Sequence, residues 1–343
     1  MPSRRVVRVF GPLPPPVHGA SRVTRLVADL VAAEPDVRVR KFDSNDGVRA
    51  AARLGRMLRG LASLALGRGG SVYVGGAGGE LLWYQAVVVL LARARRQRIV
   101  FHHHNFSYLH ERSTAMAALC RIGGGRLRHV VLGATMAQAM RASYPAATDV
   151  RVVSNAALLG DPVAAPRDVS GPLVLGHLSN LSRDKGLDLV IESARRLRGA
   201  GVDATLVLAG PCADSDAELL VEQGRRDLGD ALEVLGRIDA DRVSEVYERI
   251  DLFVFPSRYR NEAEPLVVLD AMRHGVETVG FDTGCVGELV ATGFAVPRDG
   301  DLPTVVAEHA GARRGRTDAA DRYARRRAEA QTGLAELVAH LAG

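Results

Sequence analysis

The chain is poor in the residues that build covalent or metal-bound frameworks. It has three cysteines in 343 residues, Cys120, Cys212 and Cys285, and none belongs to a CxxC pair. That spacing argues against a zinc site or a disulfide scaffold and leaves the three as small buried hydrophobes. Aromatic residues are scarce at 5%. Without an aromatic-interleaved RNP-like strand or a helix-turn-helix pattern, a protein that stacks on nucleic-acid bases ranks low among the function classes. Long apolar runs are missing too. "YQAVVVLLARARR" meets arginines after about ten residues, short of the roughly 18 to 20 that a membrane span needs. The start, "MPSRRVVRVF", is too short and polar for a signal peptide, so a cytoplasmic location is expected.

What is present describes an ordinary soluble globular protein, with 47% hydrophobic and 24% charged residues. The length favours two domains over one. Charge is distributed unevenly. Residues 1–160 hold 23 basic against 8 acidic residues, whereas residues 161–343 hold 22 against 31. A basic first half of this kind suits an anionic partner, such as nucleic acid, phospholipid or a phosphorylated substrate. Nearly all the cations are arginine, Lys41 and Lys185 being the two lysines.

Apolar runs of strand length alternate with helix-length amphipathic segments. The first half offers strands at 6–10, 71–76, 98–104, 129–133 and 150–155, and the second at 172–179, 204–210, 232–237, 252–257 and 277–281. This alternation predicts βαβ units and parallel sheets with helices on both faces. The Pro, Gly and Asp-rich stretch 159–172 reads as a linker. The expected architecture is α/β, with two Rossmann-like doubly wound domains (1–160 and 170–315), an interdomain cleft, and a terminal helix (316–343) that packs back on the first domain. Ligands in such folds sit at the carboxyl ends of strands.

Several motifs admit a functional and a bland reading side by side. In "GPLPPPVHGAS", His18 and Gly19 precede a helix whose amides and dipole suit an anion, or else form a tight connection. In "IVFHHHNF", strand geometry sends His102 and His104 one way and His103 the other, so no three-histidine metal site forms on one face. The pair could donate hydrogen bonds to a sugar or phosphate, or be satisfied polar groups at a strand end. Lys185-Gly186 opens a helix in "SNLSRDKG", where an ammonium is unhelpful unless an anion lies between it and the helix; a solvated turn lysine is the bland reading. Arg49, Arg53 and Arg56 share one face of an amphipathic helix over 47–67. That face could meet an anionic membrane, or merely water while the leucines join the core. Finally, "RNEAEPLVVLDAM" sets Glu262 and Asp270 on either side of an apolar helix start. Either this is an ordinary cap or it is a pocket that grips hydroxyl groups.

The set "SNLSRDKG", "FVFPSRYRNEAEPLVVLDAMRHG" and "TGCVGELV", downstream of "VVSN", resembles the donor-binding half of the retaining nucleotide-sugar glycosyltransferases of family 4, which have the GT-B fold. The likeness is specific over about residues 172–295 and weaker before them. It implies that Glu262 holds hydroxyls of the donor sugar, Asp270 the ribose, and Lys185 the diphosphate. It also implies that the backbone at Glu264, Pro265 and Leu266 approaches the diphosphate, with Pro265 as first helical residue. Asn180 stands where the family has an arginine, so Arg183 or Arg237 becomes the substitute phosphate contact, and Asp270 is one methylene shorter than the family's glutamate. Gly19 and Gly210 join the donor-binding set. His104, with His102 and His18, is assigned to the sugar, and Gly284 and Glu288 to the sugar or acceptor. Glu262, His104 and Lys185 are the implied catalytic residues. No cofactor or metal is expected, on the reading that neither a DxD nor an HExxH pattern marks a metal site.

The function so implied is transfer from a UDP-sugar, or a GDP-sugar, to a lipid-linked or glycan acceptor at the cytoplasmic membrane face. The anionic surface would meet Arg49, Arg53 and Arg56. The alternatives are a soluble transferase that decorates a small natural product and, lower, a nucleic-acid-binding protein.

Overall fold

The computed structural model describes residues 5–15, 19–44, 50–67, 69–163, 171–239, 241–310 and 317–343. His18, Arg49 and the middle of the expected linker lie outside them. The chain divides into two compact units: Met1–Leu158 with Ala328–Gly343, and Leu159–Arg327.

The first unit runs β1 (Arg5–Gly11), α1 (Gly19–Ala33), β2 (Val37–Asp43), α2 (Ala50–Leu66), β3 (Ser71–Gly75), α3 (Leu81–Ala94) and β4 (Arg98–His102). It continues with α4 (Ser107–His110), α5 (Thr114–Gly123), β5 (Leu127–Val131), α6 (Ala134–Ser143) and β6 (Asp149–Val152). Its sheet has the order β2-β1-β3-β4-β5-β6, all parallel. Strand order reverses between β1 and β3. There the backbones of Gly11 and Gly75 approach closely, and a Cβ on Gly11 would lie 3.2 Å from the Gly75 Cα.

Alpha-helix α1 shows how the sequence fixes the layer. Val23, Val27 and Val31 recur at fours, so they share one face, and all are buried against Val7, Val9, Tyr73, Val100 and Val130. The same cluster takes in Leu334, Leu337, Val338 and Leu341. Burying each such side chain stabilises the unit by about 1.5–3 kcal/mol.

The second unit runs β7 (Leu173–Leu178), α7 (Leu187–Gly199), β8 (Ala204–Ala209), α8 (Ser215–Leu228), β9 (Leu232–Gly236), α9 (Val243–Arg249) and β10 (Leu252–Phe255). Then follow α10 (Leu266–Arg273), β11 (Glu277–Phe281), α11 (Val286–Leu289), β12 (Ala295–Val296), α12 (Leu302–Ala310) and the start of α13 (Thr317–Ala342). Its sheet order is β12-β11-β10-β7-β8-β9, again parallel. The reversal point is β7/β10. Strands covered on both faces read as continuous apolar runs, as in β10, "LFVF", where all four residues are buried.

Two strands were not foreseen. Edge strand β2, "VRVRKFD", carries its charges on an alternating exposed face, which hides it in an apolar-run search. Strand β12 has only two residues.

Candidate functional site

The loops that leave β7 and β10 emerge side by side at the reversal point of the second sheet. They are tied together closely. The Arg258 amide donates to the Asp184 carbonyl at 2.7 Å, and its guanidinium grips both carboxylate oxygens of Asp188, at 2.6 and 2.9 Å. Gly186 sits at φ +79°, and a Cβ there would meet the Pro256 carbonyl oxygen at 2.3 Å, so only glycine fits.

From these loops Lys185 and Glu262 converge. Lys185 Nζ donates to Glu262 Oε2 at 2.8 Å, and Ser257 Oγ donates to the same oxygen at 3.2 Å. The Tyr259 ring lies 5.2 Å from the ammonium. Both charged side chains are half-buried, at 29% and 15% exposure, so they remain reachable from solvent. The arrangement offers an ammonium with three donors and a carboxylate acceptor within one hydrogen bond of each other.

Helix α10 begins at Leu266. Pro265 is its cap, with ψ +123°, and not the first helical residue as its ring had suggested. Pro265 lacks an amide hydrogen, so the donors available at this helix start are the amides of Leu266 and Val267, which have no preceding helical carbonyl to meet. Glu262 precedes the helix and Asp270 lies one turn inside it, 3.9 Å from Arg273 Nη1.

The next turn locks against this loop. Gly284 has φ +61°, a Cβ on it would be 2.3 Å from the Glu262 carbonyl, and the Cys285 amide donates to Ala263 O at 2.8 Å. Glu264 and Glu288 both face Arg326 of α13. Arg326 Nε and Nη2 donate to Glu264 Oε1 at 3.0 and 2.7 Å, and Nη2 is 3.5 Å from Glu288 Oε2. Burial opposes the Arg326 charge, but Glu264 and then Glu288 outweigh it, so its pKa is raised.

The remaining expected donor residues are more dispersed. Asn180 is exposed just past β7. Arg183 is committed to Asp216, at 2.6 Å, which raises its pKa through that hydrogen bond. Arg237 is exposed after β9 and makes no ion pair among the described residues. Gly210 has φ +120°, with the Ser179 carbonyl 1.7 Å from any Cβ, so its glycine is required by the backbone alone. Contrary to the expectation that no DxD pattern occurs, three Asp-x-Asp triplets stand in this unit, at 214–216, 239–241 and 299–301. Asp214 caps α8 through the Ala217 amide and Asp216 takes Arg183. Among the described residues no group of three His, Cys, Asp or Glu could hold a metal.

Beneath the loops, His177 Nδ1 donates to the Val254 carbonyl at 2.9 Å, which leaves Nε2 to accept from Ser179 Oγ at 2.7 Å. Burial pushes His177 down to about 4.

In the first unit, Gly19 opens α1, exposed and with room for a side chain. His102 and His104 do share a side of the chain, their rings 4.2 Å apart. His102 Nδ1 shares a hydrogen bond with Tyr73 OH at 2.8 Å, and burial holds it well below the usual histidine range, with His104 and His103 adding to the shift. His103 spends both nitrogens on Tyr108 (2.8 Å) and His129 (3.0 Å).

Helix α2 is turned differently from either reading of its pattern. Arg56 pairs with Asp43 at 3.0 Å, both largely covered, and Arg53 is half-buried. Leu54, Leu58 and Leu66 are instead exposed, at 56%, 57% and 84%. On α3, Trp83, Val87 and Leu90 are exposed as well, and Tyr84 OH donates to the Met57 carbonyl, so the two helices adjoin.

Sequence reasoning missed Ser257, Arg258, Tyr259 and Arg326. The first three stand inside the motif that was recognised, and their adjacency to Glu262 was the available signal. Arg326 sits in "RYARRRAEA", a charge run that reads as a solvated helix face.

Residues 165–300 match the family model described as glycosyl transferases group 1. The chain is 32% identical over 143 residues to the glycogen synthase of Mycobacterium tuberculosis, covering 40% of this chain and 34% of that protein. It is 30% identical over 141 residues to the lipopolysaccharide core biosynthesis mannosyltransferase LpsB of Rhizobium meliloti, covering 38% and 39%. The chain thus spans between about a third and two fifths of the length of these curated relatives. The crystal structure of Anabaena HepE in complex with UDP resembles it with a TM-score of 0.70 at 17% identity, covering 98% of this chain and 99% of that one. That likeness is one of fold: α/β, with two Rossmann-like domains of the GT-B type.

Proposed function

We propose that this protein is a glycosyltransferase that moves a sugar from a nucleoside diphosphate donor to an acceptor hydroxyl with retention of anomeric configuration. One observation carries the reading: Lys185 and Glu262 meet at 2.8 Å at the β7/β10 reversal point, inside the segment that matches the glycosyl transferases group 1 model. In doubly wound sheets this is where ligands bind.

The roles follow from charge. As the sugar departs, negative charge builds on the leaving diphosphate, and preorganised cations and helix amides stabilise it. Lys185 and the Leu266 and Val267 amides suit that task. Glu262 suits hydroxyls of the sugar and Asp270 those of the ribose, and no resident metal or cofactor is invoked. Arg237 is the better substitute for the arginine absent at Asn180, since Arg183 is occupied by Asp216. On the first unit, His104 is proposed as a hydrogen-bond donor to a sugar hydroxyl. A UDP-sugar is favoured, supported by the UDP complex of HepE, with a GDP-sugar second. A lipid-linked or glycan acceptor presented at an anionic bilayer is favoured by the exposed apolar faces of α2 and α3 and by the name of the relative LpsB.

The test is thermal stabilisation by UDP, GDP, ADP and TDP, since a ligand that binds only the folded state raises the Tm. One nucleotide is expected to raise it by several degrees, and Glu262→Ala to fold but lose transfer. No stabilisation by any of the four, or undiminished turnover in Glu262→Ala, would overturn the assignment.

A further inference from the structure

The second unit contains a charged cluster that the proposed chemistry does not use. Arg326 has 17% of its side chain exposed, Glu264 none, and Glu288 20%. Glu264 stands two residues after Glu262 and two before the start of α10. Glu288 stands in the first turn of α11. One guanidinium therefore reaches the two segments that flank the Gly284 turn. Their backbones are already joined by the Cys285 amide on Ala263 O.

The arginine itself cannot drift. One turn earlier on α13, Arg322 grips both oxygens of Glu277 at the base of β11, at 2.9 and 2.7 Å. Tyr323 OH donates to Gly160 O at 2.7 Å, and Arg327 Nε donates to Leu159 O at 3.0 Å. Three side chains, Arg322 and Tyr323 before it and Arg327 after it, thus anchor the stretch of helix that carries Arg326. The direction of the hold is also specific. Arg326 directs Nε and Nη2 onto one oxygen, Oε1, so that this oxygen is held by two donors of one rigid planar group, which an ammonium does not offer.

We infer that Arg326 is a positioning residue for the sugar end of the donor site: by holding Glu264 and Glu288 it sets where the Glu262 carboxylate stands. The inference rests on the reading of Glu262 as the sugar-hydroxyl contact. The diphosphate end depends less on Arg326, because Lys185 stands on the β7 loop, which Arg258 ties through Asp184 and Asp188, and the Leu266 and Val267 amides belong to α10. Disturbing Arg326 is therefore expected to weaken recognition of the sugar more than recognition of the nucleotide.

Two variants of the full chain test this. Arg326→Lys keeps the charge and loses the fork. Glu264→Leu with Arg326→Met and Glu288→Gln removes the buried pair and neutralises the second carboxylate, so that no charge of the cluster is left uncompensated. Calorimetric titration with UDP and with UDP-glucose, and with GDP and GDP-mannose in parallel, measures what the sugar adds. In the wild type the sugar conjugate is expected to bind at least as tightly as the nucleotide alone. In both variants nucleotide affinity should stay within about threefold, while affinity for the conjugate falls at least tenfold. If the triple variant melts like the wild type and keeps both affinities, the cluster serves the fold alone and the inference is overturned. If the wild type binds neither pair of ligands, the donor-site reading fails and takes this inference with it.

Discussion

At the scale of single residues, the contact between Lys185 and Glu262 is best understood as an exchangeable one. A half-buried ion pair is worth only about 1 kcal/mol. A diphosphate brings more negative charge than Glu262, so Lys185 is expected to change partner when the ligand arrives and free Glu262 for hydroxyls. Buried histidines give a second residue-scale consequence. His177 and His129 are both pushed down to about 4, chiefly by burial, whereas an unfolded histidine titrates near 6.5. Between those values the unfolded chain binds more protons, so stability falls as pH drops from about 6.5 toward 4, by up to about 3 kcal/mol per histidine. Above pH 7 neither residue contributes a slope. The Tm is expected to decline over this acid window, and His177→Asn to make the decline shallower; an unchanged slope would count against the assignment. Glu262, Lys185 and Asp270 were legible in the sequence because they stand inside a motif with fixed spacing. Arg326 was not, since its partners lie 62 and 38 positions away along the chain.

At the scale of elements, ten strands are visible in the sequence, the inner ones because parallel strands covered on both faces read as near-continuous apolar runs. The sequence conceals β2, whose edge position lets charges alternate along it. The orientation of α2 is hidden in the sequence for a related reason. Periodicity identifies which residues share a face but not which face meets the sheet, and here Asp43, outside the helix, draws Arg56 inward. What remains outside is apolar. Among the described residues, six of the twelve large apolar side chains exposed to solvent lie on α2 and α3: Leu54, Leu58, Leu66, Trp83, Val87 and Leu90. Within residues 50–97 Glu80 is the single acid, against seven arginines up to Arg96. Apolar ridges with tryptophan and a basic surround suit the interface of an anionic bilayer. No described helix is long and apolar enough to cross a membrane. In liposome flotation, Leu54→Ser with Leu58→Ser and Trp83→Ser is expected to abolish binding to anionic vesicles, whereas Arg53→Ala with Arg56→Ala weakens it less. Equal flotation of the leucine and tryptophan variant would rule out this face.

At the scale of the whole molecule, α13 deserves separate treatment because its residues are divided between the units, up to Arg327 in the second and from Ala328 in the first. Deleting residues 328–343 removes Leu334, Leu337, Val338 and Leu341 from the first unit's core. At about 1.5–3 kcal/mol for each side chain, the loss is comparable to a domain's entire stability of about 5–15 kcal/mol. The truncated chain is expected to bind a hydrophobic dye and to lose the cooperative transition of the first unit. A truncated protein that melts normally would show the helix to be dispensable. A sequence pattern could identify this segment as helical, but not assign each half of it to a core, because that depends on contacts hundreds of residues apart.

The division of α13 also bears on how the protein is made. Although the first unit is synthesised first, its core is completed only when residues beyond Ala328 have left the ribosome. At about 5–20 residues per second, the 169 residues between Leu158 and Ala328 take roughly 10 to 30 seconds. Throughout that interval the apolar sheet face that will receive Leu334, Leu337 and Leu341 is without its cover. The nascent chain is therefore a client for whatever binds exposed hydrophobic surface at the tunnel exit, and the half of the protein that is born first matures last.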